Sequence, residues 1–73
     1  MNPAERIARA LAIWPGRELD VAEKVGVSKS RLRVWAGLAE GRYFPPTASD
    51  AECVVEAVRT LLNAALAKLE SHT

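Results

Sequence analysis

Residues 18–37 read ELDVAEKVGVSKSRLRVWAG. Apolar residues recur in it at helical spacing on both sides of Gly26. Gly26 ends the first helical pattern, because glycine readily adopts the left-handed conformation that follows many helix ends. Ser28 is a favourable N-cap for a second helix over residues 29–36. The stretch therefore predicts two short helices joined by a tight turn.

The residue types also indicate how these two helices pack. Helices joined by a tight turn need a small residue where they touch, and Ala22 meets that need. On the first helix, Leu19 and Ala22 are expected to face inward. On the second helix, Leu32 and Trp35 supply the buried side chains. The pattern predicts a helix-turn-helix in this stretch.

This joint pattern resembles the helix-turn-helix of small phage and bacterial repressors of the Cro type. Ala22 is followed by Gly26 four residues later, by the aliphatic Leu32 six residues further on, and by the aromatic Trp35 three residues after that. The resemblance covers about a quarter of the chain. It implies a DNA-binding protein that reads sequence with its second helix.

Two further resemblances extend beyond that motif. The segment Leu32-Arg33-Val34-Trp35 is similar to the recognition helix of MerR-type regulators and small excisionases, although no wing strands are predicted after it. The motif together with Gly-Arg-Tyr-Phe-Pro-Pro at residues 41–46 and a short terminal helix looks like the anti-CRISPR-associated repressors of phages. That last resemblance implies autoregulation of a phage operon.

The outward face of the second helix carries the candidate DNA contacts. With the apolar side chains inward, a helical wheel places Ser30, Arg33 and Val34 on the opposite face. Arginine can form two hydrogen bonds to guanine, serine is adaptable, and valine can meet a thymine methyl group. Arg33 and Ser30 are therefore expected to read bases, and Ser28 to lie beside a phosphate. The residues predicted to contact DNA are Ser28, Lys29, Ser30, Arg31, Arg33, Val34, Arg42 and Tyr43.

Charge distribution supports a nucleic-acid partner better than net charge does. The chain has a formal net charge of only +1, whereas DNA-binding domains are commonly strongly basic. Residues 24–42, however, carry five basic residues and a single acidic one. The positive charge is therefore concentrated around the second helix of the motif.

Two more helices are predicted outside the motif. Asn2 is a favourable N-cap, with proline at the next position and Glu5 three residues after the cap. Residues 37–48 contain two glycines and two prolines and are predicted to form a loop. Ser49 opens a capping box for a long helix over residues 50–70. The expected fold is a small all-α bundle of four to five helices.

The last helix has more apolar surface than one core requires. Its apolar residues cover about half of the helical circumference, whereas packing on one core needs a stripe only about 100° wide. A second copy of the chain is the expected use of the surplus, since two-fold homodimers are the commonest assemblies. An alternative is that the small domain simply wraps this helix on most sides. The predicted dimerisation residues are Val54, Val58, Leu61, Leu62, Ala65 and Leu69.

Size and composition narrow the class of protein. At 73 residues the chain has room for one domain, 1–73, and 49% apolar residues favour folding over disorder. Cys53 is the single cysteine and fits a reducing, cytoplasmic compartment. No secretory signal is recognised at the N-terminus, and the apolar run at residues 10–14 is too short to span a bilayer. A membrane partner is not expected.

Neither catalysis nor a bound cofactor is expected. His72 is the one histidine, so neither it nor Cys53 is assigned to a metal site. The ordered body offers no Ser-His-Asp set, and no glycine-rich phosphate loop follows a strand. We therefore predict a protein that is not an enzyme, has no cofactor and shows no small-molecule effector.

These observations favour a sequence-specific transcriptional regulator, most simply a dimeric repressor of a palindromic operator. An alternative within the same class is an architectural or packaging role, in which binding bends or tethers DNA. An alternative from a different class is a protein-interaction adaptor that grips its partner with the apolar C-terminal helix. An operator with a single palindrome favours repression, and tandem direct repeats favour the architectural role.

Overall fold

The helices follow the order that the sequence predicts. A computed structural model describes residues 1–71. Within them lie α1 (Pro3–Ile13), α2 (Glu18–Val25), α3 (Lys29–Trp35) and α4 (Ala48–Ser71), and no strand. The predicted all-α bundle with a long C-terminal helix is confirmed. The prediction about His72 concerns a residue outside the described range.

The first helix begins as its capping pattern predicts. The Glu5 amide donates to Asn2 Oδ1, and Asn2 Nδ2 donates to Glu5 Oε1, both at 2.8 Å. Pro3 occupies the first turn, where a missing backbone N–H costs nothing. Asn2 thus satisfies one of the amides that every helix leaves unpaired at its start.

The capping box of the last helix lies two residues earlier than predicted. The Asp50 amide donates to Thr47 Oγ1 at 3.1 Å, and the Thr47 amide donates to Asp50 Oδ2 at 2.8 Å. The predicted box on Ser49 and Glu52 is therefore wrong. Glu52 instead accepts a hydrogen bond from Arg6 of α1 at 2.5 Å, so a distant partner takes the side chain that the local pattern assigned to the cap.

The first half of α4 is the centre of the core, with α1 and α2 packed against it. Val54 and Val58 are 0% and 3% exposed, so they serve the core of the chain itself. Their predicted place in a dimer interface is wrong, because neither side chain reaches the surface. The buried core residues are Ile7, Ala10, Leu11, Val21, Ala22, Leu32, Trp35, Ala51, Val54, Ala57 and Val58.

The rotation of α2 about its axis differs from the prediction. Leu19 was expected inside but is 53% exposed, whereas Val21 is 1% exposed. A helix of eight residues has few apolar positions, and its spacing is compatible with more than one inward face. Contacts with α3 and α4 select the face that carries Val21 and Ala22.

The second half of α4 extends away from the bundle. Leu61 and Leu62 are half-buried and pack against the core, but every residue from 63 to 71 is exposed. At 1.5 Å per residue this part adds about 13 Å of free helix. The described chain is accordingly elongated, with a longest dimension of 45 Å. Across residues 1–71, we find no helix with the length and apolar character that a membrane crossing requires.

Candidate nucleic-acid interface

Gly26 forms the corner between α2 and α3. Its φ of 92° lies in the left-handed region, which glycine adopts without steric cost. The Gly26 and Val27 amides both donate to the Ala22 carbonyl oxygen, at 2.8 and 3.0 Å. Ala22 itself is 1% exposed, as expected for a small residue at a helix contact. Two helices joined by a tight turn are thus present where the sequence predicts them.

Ser28 begins α3 in the predicted way. Its backbone is extended, and its side-chain oxygen accepts from the Arg31 amide at 3.1 Å. Lys29, Ser30 and Arg31 follow in the first turn, and all three are exposed. The hydroxyl of Ser28 is therefore engaged in capping, while the three residues after it face solvent.

The loop after α3 returns across that helix. Trp35 Nε1 donates to the Phe44 carbonyl oxygen at 3.1 Å, which ties the far part of the loop to a core residue. Gly41 lies against Val34, and a Cβ added at Gly41 would stand 2.8 Å from Val34 Cγ2. Only glycine permits so close an approach without displacement. Val34 is consequently half-buried and less available to a thymine methyl group than the helical wheel indicates.

The side chain of Arg33 lies along the protein surface and contacts two groups of the same chain. Its Nη1 lies 3.5 Å from Glu18 Oε1, and its Nη2 donates to the Leu38 carbonyl oxygen at 3.4 Å. The sequence predicts Arg33 as the most outward arginine of α3. In the structure the two contacts draw its guanidinium toward α2 and the start of the loop instead.

Arg31 occupies the more accessible position. Its guanidinium carbon lies 5.2 Å from the centroid of the Tyr43 ring and 5.9 Å from that of Trp35. Both distances are within cation–π range, so two aromatic rings orient this cation at the surface. Arg31, Arg42 and Tyr43 line one open cleft together with Phe44 and Pro45.

The structure brings most of the predicted DNA-binding residues to one side of the molecule. A second cleft between α3 and the loop is lined by five of them. These five are Ser30, Arg33, Val34, Arg42 and Tyr43. We use the name contact surface for the accessible part, which consists of Lys29, Ser30, Arg31, Arg42 and Tyr43.

The contact surface carries three cations, and one carboxylate, that of Glu40, lines the second cleft beside Arg42. Within the described part of the chain, Lys29, Arg31 and Arg42 form no ion pair. Arg33 is different, because the carboxylate of Glu18 offsets its charge. Three cations with no carboxylate partner are available to an anionic ligand.

Phe44 is a residue that the sequence reasoning missed. Its side chain is 91% exposed, although it belongs to the same cleft as Arg31 and Arg42. The available signal was an aromatic pair among arginine, glycine and proline at residues 41–46. Basic residues interleaved with aromatic ones are typical of surfaces that contact nucleic acid.

A second candidate site lies on the free part of α4. Leu62, Leu66 and Leu69 recur at helical spacing, and Leu66 and Leu69 are 54% and 63% exposed. Ala65, also exposed, flanks them. We call these four residues the apolar stripe. Of the predicted dimerisation residues it retains Leu62, Ala65 and Leu69, and it adds Leu66. Leu61 and Leu62 both pack partly on the core, but Leu61 faces α2, beside Asp20 and Glu23, and lies off the stripe.

Cys53 is a free cysteine whose side chain is exposed on α4. Residues 1–71 contain no group of three or more His, Cys, Asp or Glu side chains arranged to hold a metal ion.

Comparison with protein-family models, with curated proteins and with solved structures finds no match. The function is therefore inferred from the geometry of the chain itself.

Proposed function

We propose that this protein binds double-stranded DNA through the contact surface, as a homodimer held by the apolar stripe of α4. The observation that carries the proposal is the placement of unpaired cations on α3 directly after the Gly26 turn. In this arrangement the first turn of α3 enters the major groove, since a helix fits that groove. The cations beside it meet phosphates and supply sequence-independent affinity.

Arg31 is the best-placed base reader within this proposal. The rings of Tyr43 and Trp35 restrict its guanidinium, which reduces the conformational entropy lost on binding. A guanidinium so oriented can bond the O6 and N7 atoms of guanine with two hydrogen bonds. Lys29 and Arg42 are then left to contact phosphates, where a flexible cation is sufficient.

The biological role that follows is a cytoplasmic transcriptional regulator, most simply a repressor. A two-fold dimer presents two copies of α3 to successive major grooves, so its half-sites lie about 10 base pairs apart or a small multiple of that. Such a site is a palindrome. A bound dimer of this kind acts by occupying its operator, and this requires no reaction of the protein itself.

Selection of bound duplexes from random DNA tests the proposal directly. The selected site is then titrated with the protein by fluorescence anisotropy at several salt concentrations. We expect a palindromic site and an affinity that falls as salt rises, with Arg31→Ala binding more weakly than wild type. Arg59→Ala removes the same charge from α4, outside the contact surface, and is the matched control. Recovery of no preferred duplex, with no salt-dependent retention, would overturn the proposal.

A second candidate function is an adaptor that uses the apolar stripe to hold a different protein. The exposure of Leu66 and Leu69 favours it as much as it favours a homodimer. The two are separated by the mass of the purified protein in solution. A homodimer supports the regulator, whereas a monomer that binds no DNA supports the adaptor.

A further inference from the structure

Phe44 is the most exposed of the large apolar side chains in residues 1–71. It is 91% exposed, while Met1, the next, is 68% exposed. A phenylalanine ring normally contributes a large buried area, so leaving it in water forfeits stability. The exposed ring does not stabilise the fold, so we look for its role in binding.

The backbone that carries Phe44 is held in place. The Phe44 carbonyl oxygen accepts the hydrogen bond from Trp35, whose side chain is only 8% exposed. Pro45 and Pro46 follow directly, and the proline ring restricts φ at both positions. The exposed ring is thus presented from an anchored support, which lowers the entropy lost when a ligand fixes it.

The chemical surroundings of Phe44 indicate an anionic ligand that also has apolar faces. Arg31 and Arg42 line the same cleft as the ring, and neither forms an ion pair in the described part of the chain. Tyr43, which directly follows Arg42 and precedes Phe44, lines this cleft too, and its ring centroid lies 5.2 Å from the Arg31 guanidinium carbon. Nucleic acid offers phosphates to Arg42, base-edge acceptors to Arg31, and base faces to the aromatic ring.

We propose that Phe44 inserts its ring between adjacent base pairs from the minor groove and thereby bends the bound duplex. Apolar side chains inserted in this way unstack a base step and kink DNA by about 20–90°. The inference rests on the proposed function, because α3 must first occupy the major groove.

We assign Phe44 to the minor groove because α3 leaves no room for it in the major groove. The major groove is about 12 Å wide and is filled by a helix. The loop leaves the end of α3 and returns beside its first turn, where Arg31 meets Tyr43. A segment beside the helix therefore lies over the phosphate backbone and the adjoining minor groove. Arg42, directly before the Tyr43–Phe44 pair, is placed to contact the phosphates that border that groove.

The test measures bending and unstacking on the selected duplex. A donor and an acceptor dye at the two ends report bending by energy transfer, and 2-aminopurine placed at successive positions reports unstacking by increased fluorescence. With wild type we expect increased energy transfer and one bright 2-aminopurine position. With Phe44→Ala we expect both signals to disappear and the affinity to fall about tenfold, the order of one stacked ring.

Two further variants make the result specific. Phe44→Leu keeps an apolar wedge, so it should retain most of the bend. Leu38→Ala shortens another exposed apolar side chain of the same loop and should leave the bend unchanged. Circular dichroism of each variant checks that it is folded.

The outcomes also separate this inference from the proposed function. If wild type binds duplex DNA in a manner that depends on Arg31, but Phe44→Ala bends it equally, the wedge is overturned and the function stands. The wedge is also overturned if Phe44→Ala loses the same affinity for single-stranded as for duplex DNA and wild type does not bend the duplex. If Phe44→Ala instead loses a protein partner while wild type binds no duplex, both proposals fail.

Discussion

The indole nitrogen of Trp35 donates a hydrogen bond to the carbonyl oxygen of Phe44, at 3.1 Å. Trp35 is a core residue, 8% exposed, whereas Phe44 is the most exposed large apolar residue described. One side chain therefore joins the interior of the bundle to the part of the loop that we place on DNA. We therefore expect the order of the loop to depend on this bond.

Trp35→Phe tests that dependence, because it removes the donor and keeps an aromatic ring. We expect a loss of about 1 kcal/mol in the free energy of unfolding from the hydrogen bond, measured by urea denaturation. The loop should also be cleaved faster by a protease at low concentration. Trp14→Phe is the control, since Trp14 lies outside the loop and should not alter its cleavage. Equal cleavage of wild type and Trp35→Phe would show that the loop is ordered by other contacts.

Gly26→Ala tests the corner between α2 and α3. A left-handed backbone costs a residue with a Cβ about 1–2 kcal/mol, so we expect a loss of that order in unfolding free energy. Asparagine tolerates this conformation better, and Gly26→Asn should lose less. No atom lies within 4 Å of an added Cβ, so strain of the backbone is the sole cause expected. Equal losses for both variants would point instead to disturbed helix packing.

The apolar stripe is tested by Leu66→Glu with Leu69→Glu. Both side chains are more than half exposed, so the charges should separate the dimer and leave each chain folded. Ala64→Glu with Ala67→Glu adds the same charge at the same spacing on the opposite face of α4, and should leave the dimer intact. Sedimentation gives the mass, and circular dichroism the helix content. A wild-type mass that is monomeric across micromolar concentrations contradicts the homodimer.

Local chemistry explains why part of this structure could be predicted from the sequence. The Asn2 and Ser28 caps and the Gly26 turn depend on residues within three or four positions, and all three are present. Glu52 shows the limit of that reasoning. Its local pattern indicates a cap, but its partner Arg6 lies 46 residues away.

The candidate site was predictable only in part for the same reason. A helical wheel treats α3 as an isolated cylinder, so it places Arg33 and Val34 in solvent. The returning loop brings Gly41 against Val34, and α2 brings Glu18 to Arg33. Neither contact leaves a signal within the seven residues of α3.

The Arg6–Glu52 pair predicts a pH dependence of stability. The hydrogen bond from Arg6, together with its positive charge, holds the pKa of Glu52 below its ordinary value of 4.5. The folded state thus favours the carboxylate, so the contribution is complete above the ordinary pKa and is lost as pH falls through the lowered one. Glu52→Gln should be less stable than wild type at neutral pH, with the difference vanishing in acid. Glu23→Gln, an equal loss of charge on α2, is the control. A difference that is independent of pH would show that the pair contributes nothing through ionisation.

Alanine variants of Arg31 and Arg33 distinguish the base reader predicted from the sequence from the one inferred from the structure. The sequence assigns base reading to Arg33, whereas the structure presents Arg31 beside Tyr43 and ties Arg33 to Glu18. We expect Arg31→Ala to cost about 1–3 kcal/mol on the selected site and to relax preference at one base. Arg33→Ala should cost less binding energy, because any base contact must first replace its contacts within the chain.

Stability measurements complete that comparison. A double-mutant cycle of Arg33→Ala with Glu18→Gln should give a coupling of about 0.2–1 kcal/mol, as partly exposed ion pairs do. The opposite pattern is equally measurable: Arg33→Ala relaxes one base, while Arg31→Ala weakens all sequences alike and lowers the salt slope by about one unit. In that case Arg33 reads the base after leaving Glu18, Arg31 contacts a phosphate, and the loop must move away from Val34 when DNA binds.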